Sequence, residues 1–252
     1  MTDYSNYDSD VFSCQYEGDT AVICLKANSL KMTTDPHHFH DILECMNTIE
    51  VDANIKGILA LHTVKYERIE ALQSFIKSIQ KQSGYVQKEM GVTRYGNSVK
   101  RLTLAINDFS KPCVVGIEGQ VAIDGFGFFM ACDQRVAADD LSIEFPGLEI
   151  GVTPMGAVAL YMSRQMGANK ALEILMSKDP VKAEEAKQLG FVTTVVPKEQ
   201  VKEECMKRLQ EMYKIPGVTL SLTKQLIRPK TYELEEHFEL SSRLLWSSIV
   251  DN

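Results

Sequence analysis

The sequence predicts an α/β fold built around a parallel sheet. Two short apolar runs, residues 20–25 and 55–61, have the composition of buried strands. The stretch between them has helical spacing of its apolar side chains. Strand, helix and strand at this distance form a βαβ unit, in which the two strands are parallel and the crossover is right-handed. From residue 198 onward the pattern is almost entirely helical.

Asp35 and Pro36 predict where the first helix begins. Aspartate is a favoured N-cap residue, and proline is favoured at the first helical position. The apolar positions that follow are Phe39, Ile42, Leu43, Met46 and Ile49. They recur every three to four residues, so we expect an amphipathic helix with one face packed on the sheet.

Residues 66–96 have the least regular pattern in the chain. Gly84, Gly91 and Gly96 interrupt short helical pieces, and no single period persists. Such a segment in a compact domain is often a mobile loop over a site, and we expect one here. A helix is predicted at 99–109, and Pro112 ends it because proline disfavours helical geometry in the residue before it.

The middle of the chain alternates strands with short helices and turns. Its predicted strands are 113–117, 134–138, 141–145 and 191–196, and its predicted helices are 128–132, 158–166, 168–176 and one ending near 189. Glycine at position 190 suits the end of this helix, where the next residue often has a left-handed backbone conformation. We expect a core of residues 1–197 and a helical region of residues 198–252, together forming one continuous domain.

Composition excludes several classes of protein. The chain has 252 residues, a net charge of −7 and 44% hydrophobic residues, so it is too apolar for a disordered protein. No basic stripe offsets the acidic balance, which argues against nucleic acid as a partner. No apolar run is long enough to span a membrane. The polar N-terminus does not resemble a signal peptide, and six scattered cysteines suit reduced thiols, so we expect a cytoplasmic location.

The segment with the clearest chemical meaning is the strand, glycine-rich turn and short helix over residues 114–132. A glycine turn that opens a helix directs backbone N–H groups and the positive end of the helix dipole toward one point. That point can hold a phosphate or a developing oxyanion. The alternative is a tight turn that only lets the helix pack on the strand. No nucleotide-binding GxGxxG or GxxxxGK[ST] pattern is present.

Five segments in this region resemble the crotonase (enoyl-CoA hydratase/isomerase) superfamily in order and spacing. They are KPCVVGIEG, the glycine turn, ACDQRVAADD, LSIEFPGLEIGVTP and KAEEAKQLGFVTTVVP. The resemblance is close over residues 111–200. It implies a crotonase-like spiral of ββα turns, a C-terminal helical region that mediates trimers or hexamers, and an acyl thioester substrate. Coenzyme A or phosphopantetheine would belong to the substrate, and no other cofactor would be required.

The resemblance also implies two backbone N–H groups that hold the thioester carbonyl. An ungapped match places one of them at Asp124, with Gly125 beside it, and a looser match places the other at Ile69. By family position, Lys65 and Arg68 are candidates to meet the phosphates of coenzyme A. A plain surface charge is the alternative for both.

Two departures from the family pattern bear on the reaction. Hydratases of this family use two glutamates, and Gly127 and Gly147 stand at the matching positions. Without an acid–base pair, water is not activated in the family's way. Glu149, Glu144 and Asp124 lie near enough in sequence to substitute. Each also has a structural alternative, namely a solvated or paired carboxylate or, for Asp124, an unusual backbone angle.

One subgroup lacks both glutamates and still reacts, namely the decarboxylating members of polyketide β-branching. This chain resembles them in its G-V-T-P turn ending at Pro154, in the apolar residues after the glycine turn and in LSLTKQLIRP. The subgroup uses a lysine from the irregular loop, for which Lys81 and Lys88 are candidates. It also uses a histidine from the C-terminal helix, where His237 lies about two turns early.

The remaining histidines are weaker candidates for functional residues. His37, His38 and His40 lie in the first turn of the predicted helix without further ligands at suitable spacing, so no metal site is predicted. His62, just past a strand, either lines a site or is a core-edge residue with satisfied hydrogen bonds.

Three hypotheses therefore remain. The leading one is a lyase that decarboxylates a glutaconyl-type thioester on coenzyme A or an acyl carrier protein. The second is an enoyl-CoA hydratase or isomerase with a relocated acid, and the third is a non-catalytic subunit that binds a thioester or a protein.

Overall fold

The computed structural model describes residues 2–63, 67–149, 151–177 and 179–250. Its main sheet has seven strands in the order β1-β2-β3-β4-β5-β7-β10, and a smaller sheet has the order β6-β8-β9. The strands are β1 Asn6–Asp8, β2 Phe12–Glu17, β3 Thr20–Leu25, β4 Gly57–His62, β5 Cys113–Ile117, β6 Gln120–Ala122, β7 Gln134–Ala138, β8 Ser142–Glu144, β9 Val181–Lys182 and β10 Thr194–Val196. From β3 to β10 the main sheet is parallel, as predicted.

Helices surround this sheet. They are α1 Lys31–Thr34, α2 Pro36–Val51, α3 Glu67–Gln80, α4 Tyr85–Asp108, α5 Ile123–Met130, α6 Pro146–Glu149, α7 Val158–Met166, α8 Ala168–Ser177, α9 Ala183–Gln188, α10 Val201–Tyr213, α11 Gly217–Ile227 and α12 Thr231–Val250. None of these helices has both the length and the apolarity needed to span a membrane.

The chain twice follows the same path, from a strand of the main sheet to a strand of the small sheet and then to a helix. The first turn is β5, β6 and α5, and the second is β7, β8 and α6. This is the predicted ββα spiral. The C-terminal region is helical, also as predicted, with α10 on one face of the main sheet and α12 against α3 and α4.

The predicted start of α2 is confirmed. The N–H of His37 donates to the Asp35 side chain at 2.9 Å, and Pro36 is the first helical residue. Phe39, Ile42 and Ile49 are buried against the sheet, as the apolar spacing requires. His37, His38 and His40 pair with acidic side chains around this helix start.

The expectation of a mobile loop over residues 66–96 is wrong for its described residues. Most of them form α3 and the first half of α4, which begins at Tyr85 rather than at residue 99. Two of the glycines that suggested a loop, Gly91 and Gly96, are points of close helix packing. A Cβ on Gly91 would lie 3.3 Å from Ile79 Cγ1 of α3, and one on Gly96 would lie 3.2 Å from Ser242 Oγ of α12.

Candidate functional site

The site predicted from the glycine turn lies at the beginning of α5. Gly119 has a φ of +67°, which favours glycine, and its N–H donates to Asp140 Oδ1 at 2.8 Å. This turn leads into β6 and α5, whose N-cap residue Ala122 provides no side-chain cap. The first amides of an α-helix have no partner within the helix, so the amide of Asp124 in this first turn suits a carbonyl oxygen.

Asp124 brings a carboxyl group into the interior at this point. Its side chain is buried, and its Oδ1 accepts a hydrogen bond of 2.6 Å from the N–H of Met155. Burial raises the pKa of Asp124 to about 6, and hydrogen bonds from the backbone of Met155 and of Asp124 itself oppose that rise only in part. The carboxyl group can therefore exchange a proton close to neutral pH.

The Asp124 carboxyl group faces Gly147, one of the two positions where the resemblance implies a glutamate. A Cβ on Gly147 would lie 3.5 Å from Asp124 Oδ2 and 3.3 Å from the carbonyl oxygen of Val152. A carboxyl group is thus present beside position 147, although it belongs to Asp124 of α5 and not to residue 147.

Gly127, at the other glutamate position, is closed to any side chain. A Cβ there would overlap the carbonyl oxygen of Gly156 and lie 2.7 Å from its carbonyl carbon. A Cβ on Gly156 would in turn lie 2.5 Å from the carbonyl oxygen of Asp124. The backbone of α5 therefore packs directly on the loop before α7, and this contact also brings the amide of Met155 to Asp124.

A small space of about 10 Å³ lies next to the Asp124 carboxyl group. Leu72, Gln73 and Ile76 of α3 and Tyr95 of α4 line it, together with Gly147, Val152 and Met155. A volume of this size holds about one water molecule. Larger surface grooves of about 510 and 530 Å³ lie around α11, and none of the predicted site residues whose side chains the structure describes lines them.

The other predicted residues lie at varying distances from this space. His62 is fully buried at the end of β4, with its ring edge-on to Phe129 at 5.4 Å between centroids. Gly125 is half-buried, and a Cβ on it would meet nothing within 4 Å. Pro154 is half-buried and directly precedes Met155.

The residues expected from the decarboxylase subgroup do not line the space at Asp124. Lys81 is exposed just after α3, and Lys88 is half-buried on α4. His237 is half-buried on α12 beside the ring of Phe238, and burial lowers its pKa.

Four predicted site residues lie wholly or partly outside the described residues. Lys65 lies outside the described residues, as do the side chains of Arg68, Ile69 and Glu149. The backbone of Ile69 lies in α3, as the third described residue of that helix. Glu144, the third alternative acid, accepts a hydrogen bond of 2.5 Å from the Ser142 hydroxyl.

Sequence reasoning missed the contributions of Met155, Gln73 and Tyr95 to this site. Gln73 and Tyr95 fell in the segment predicted to be irregular, although Leu72, Ile76 and Ile79 already had helical spacing there. That spacing was the available signal. No local pattern indicated the role of Met155, because it contributes its backbone N–H, which every residue except proline has.

Comparisons with known proteins agree with this architecture. A family model described as enoyl-CoA hydratase/isomerase matches residues 20–251. A probable enoyl-CoA hydratase of Bacillus subtilis is 28% identical over 205 residues, which cover 81% of this chain and 77% of that protein. The crystal structure of an enoyl-CoA hydratase from Bacillus halodurans has a TM-score of 0.81 at 19% identity, with 94% of each chain covered. An enoyl-CoA hydratase structure from Polaromonas sp. JS666 has a TM-score of 0.74 at 19% identity, covering 91% of this chain and 90% of that one.

Proposed function

This chain belongs to the enoyl-CoA hydratase/isomerase family, and we propose that it isomerises an enoyl thioester with Asp124 as its single acid–base group. The observation that supports this proposal is the buried Asp124 carboxyl group, with its pKa near 6 and its Oδ2 beside Gly147. A catalytic acid or base works best when its pKa is close to the working pH.

The thioester carbonyl would accept hydrogen bonds from the amides of Asp124 and Ile69. The amide of Asp124 lies in the first turn of α5, where the helix dipole favours negative charge, and Ile69 is the third described residue of α3. One such donor typically contributes about 100-fold to 1,000-fold in rate. Coenzyme A or phosphopantetheine would enter as part of the substrate, and Lys65 and Arg68 remain candidates for its phosphates.

Isomerisation needs only one carboxyl group. The Asp124 carboxylate takes a proton from carbon 2 of a 3-enoyl thioester, and the electron pair of the broken C–H bond forms a dienolate. Its negative charge lies on the thioester oxygen between the two amides. The same carboxyl group returns the proton to carbon 4, which leaves the double bond between carbons 2 and 3.

Hydration requires more catalytic groups than isomerisation does. It needs one group to activate water and another to deliver a proton, and positions 127 and 147 are both glycine. Position 127 also has no room for a side chain. A single relocated acid therefore fits isomerisation better than hydration, and Glu149 is a second candidate for that acid.

Decarboxylation of a glutaconyl-type thioester in polyketide synthesis is the second candidate function. Glycine at both acid positions favours it, because loss of CO2 leaves its electron pair in the same dienolate without a base. Protonated Asp124 would then supply the proton. Lys81 and His237 would have to approach the acyl group, and neither lines the space at Asp124.

The direct test offers purified protein 3-hexenoyl-CoA, crotonyl-CoA and 3-methylglutaconyl thioesters on coenzyme A and on a carrier protein. We expect conversion of 3-hexenoyl-CoA to 2-hexenoyl-CoA, and an Asp124→Asn loss of at least about 100-fold in kcat/KM. Asp139→Asn, at an exposed aspartate, is the matched control. CO2 loss without isomerisation would establish the second candidate, and binding without any turnover would indicate a non-catalytic subunit.

We also propose that the chain assembles as a homotrimer or hexamer through its C-terminal helices. Val218, Leu222 and Leu226 recur every four residues on α11 and are 74%, 55% and 80% exposed. Such an apolar stripe suits a contact between subunits. Sedimentation of the full chain measures the mass, and a monomer would contradict this proposal.

A further inference from the structure

The larger of the two grooves beside α11 has an excess of positive charge. It has a volume of about 530 Å³ and lies between the C-terminal end of α5, helix α7 and helix α11. Its described lining includes the acidic side chain of Asp133 and the cationic side chains of Arg135, Arg164, Lys224 and Arg228. The whole chain has a net charge of −7, so this local balance is the reverse of the average. We call this groove the basic groove.

Carboxylate partners balance only part of this charge. Asp133 Oδ2 lies 2.9 Å from Lys224 Nζ, and Asp133 Oδ1 lies 2.5 Å from Arg228 Nη2. Arg164 pairs with Glu233 of α12 at 2.5 Å between Nη2 and Oε1. Two carboxylates therefore face three of the four cations.

Arg135 is the fourth cation, and its described hydrogen bonds go to carbonyl oxygens. Its Nε donates to the carbonyl oxygen of Phe191 at 2.6 Å, and its Nη1 donates to that of Cys132 at 3.1 Å. Carbonyl oxygens satisfy N–H groups but have no net charge, so four cations and two carboxylates leave an excess of two positive charges. The guanidinium group of Arg135 also covers the carbonyl end of α5, which would otherwise repel an anion.

A buried phenol lines the same groove. Tyr161 of α7 is 8% exposed, and its Oη has no hydrogen-bond partner among the described residues. Buried polar groups in native proteins are rarely left unpaired, because the loss of hydration is then uncompensated. Burial raises the pKa of Tyr161, and the positive charges of Arg228 and Arg164 oppose that rise only in part. The hydroxyl therefore keeps its proton at neutral pH and can donate it in a hydrogen bond.

Apolar side chains form most of the remaining lining of the basic groove. They include Met130 and Ala131 at the end of α5, Met212 of α10, and Leu220 and Ile227 of α11. The volume lies within the range of about 300 to 1,000 Å³ that is usual for small-molecule sites. The groove thus offers donors and positive charge beside an apolar surface.

The basic groove is separate from the other two surfaces with a proposed role. Asp124 is in the first turn of α5, whereas the groove contacts this helix at Met130, six residues and about 9 Å farther along. On α11, Leu220 and Ile227 line the groove from the face opposite the exposed apolar stripe proposed for the subunit contact. Neither the space at Asp124 nor that stripe therefore accounts for the composition of the groove.

We propose that the basic groove binds an amphipathic organic anion, in which a carboxylate or phosphate group is attached to an apolar body. The Tyr161 hydroxyl donates to an anionic oxygen, and Arg164 and Arg228 supply the opposite charge. The apolar body lies against Met212 and Leu220. A hydrogen bond to an ionised acceptor is about twice as strong as one between neutral groups, so such a ligand is a suitable partner for the buried phenol.

Titration calorimetry of the full chain tests this site. Octanoate and octyl phosphate share an apolar tail and differ in the anionic group, and octylammonium has the same tail with the opposite charge. We expect at least one of the two anions to bind, and to bind at least about tenfold more tightly than octylammonium. Tyr161→Phe removes only the hydroxyl and should weaken binding of that anion by about tenfold or more, the usual contribution of a hydrogen bond to a charged group. The tighter of the two anions identifies the preferred anionic group.

Two control variants make this result specific. Tyr232→Phe, at a 67% exposed tyrosine of α12, should retain the native affinity. If Tyr161→Phe does not fold, Arg164→Gln should weaken anion binding roughly threefold, with Arg243→Gln at an exposed position of α12 as its control.

Three outcomes would overturn the proposal. They are the absence of binding by both anions, equal affinity of octylammonium and the anions, and unchanged anion affinity in the folded groove variant. The last outcome would place the bound anion elsewhere on the chain. None of the three bears on the reaction proposed at Asp124, because these probes are not thioesters.

Discussion

Gly127 and Gly147 stand at the two positions where the resemblance implies glutamates, yet their surroundings differ. At Gly127 a Cβ would overlap the backbone of Gly156, whereas at Gly147 its nearest neighbours would be 3.3 and 3.5 Å away. The first glycine is required by backbone packing between α5 and the following loop. The second lies beside the carboxyl group of Asp124.

The two missing acids are therefore not equivalent. Position 127 cannot regain an acid while α5 packs on Gly156. Position 147 is near an acid already, because Asp124 brings a carboxyl group to its side of the site. The following predictions test this contrast, beginning with the largest expected effect.

Gly127→Ala should destabilise the protein by more than about 3 kcal/mol or prevent folding. The added methyl group meets backbone rather than a side chain that can move, so the helix or the loop must shift. Urea unfolding followed by circular dichroism measures the change. Gly125→Ala is the matched control two residues away, and it should be neutral or stabilising because its methyl group meets nothing and alanine favours helix. Equal unfolding midpoints for the two variants would contradict the packing argument.

Asp124 should make the free energy of unfolding depend on pH. Its pKa rises from about 3.8 in the unfolded chain to about 6 in the folded one, so the folded state holds the proton more tightly. Stability contributed by this proton is present below about pH 4 and lost as pH rises to about 6, by an amount on the order of 3 kcal/mol. Asp124→Asn should lack this component.

Urea unfolding of the native protein and of Asp124→Asn, at several pH values from 4 to 8, measures the difference. The native protein should lose stability relative to the variant as pH rises, and the two should differ by a constant amount above about pH 7. Parallel curves across the whole range would show that the carboxyl group is not held in a raised-pKa environment.

Gly147→Ala should have the smallest effect, a destabilisation of about 1 kcal/mol, since its neighbours need move only a few tenths of an ångström. The methyl group also removes water from around Asp124 Oδ2, so the pKa of Asp124 should rise further. The midpoint of the pH profile of kcat/KM should move upward with it. Gly217→Ala, where a Cβ meets nothing, serves as the control. A downward or absent shift would contradict the proposed proximity.

Local patterns predicted most of the framework. The Asp35–Pro36 start of α2 and the break between α7 and α8 at Gly167 depend on neighbouring residues alone, and both are confirmed. The segment of α3 and α4 is helical against expectation, because Gly91 and Gly96 lie at contacts with other helices rather than in a loop. Ser242 lies against Gly96 across 146 positions, which no local period can reveal.

The candidate site also has some features that the sequence predicts and others that depend on the folded structure. The glycine turn, the position of Asp124 and the absence of acids at 127 and 147 can all be identified in the sequence. The sequence does not reveal that the Asp124 carboxyl group is buried and faces Gly147. Its burial depends on α3 and α4, and its hydrogen bond from Met155 joins residues 31 positions apart.

The sequence by itself determined the α/β order, the parallel sheet and the family, since these follow from periodicity and from residues close together in the chain. Only the tertiary structure decided why each glycine stands at its acid position and where the remaining acid lies. The physical reason is that steric overlap and desolvation arise between segments that meet only after folding. Gly127 and Gly156 are 29 residues apart in sequence but in direct backbone contact in the folded chain.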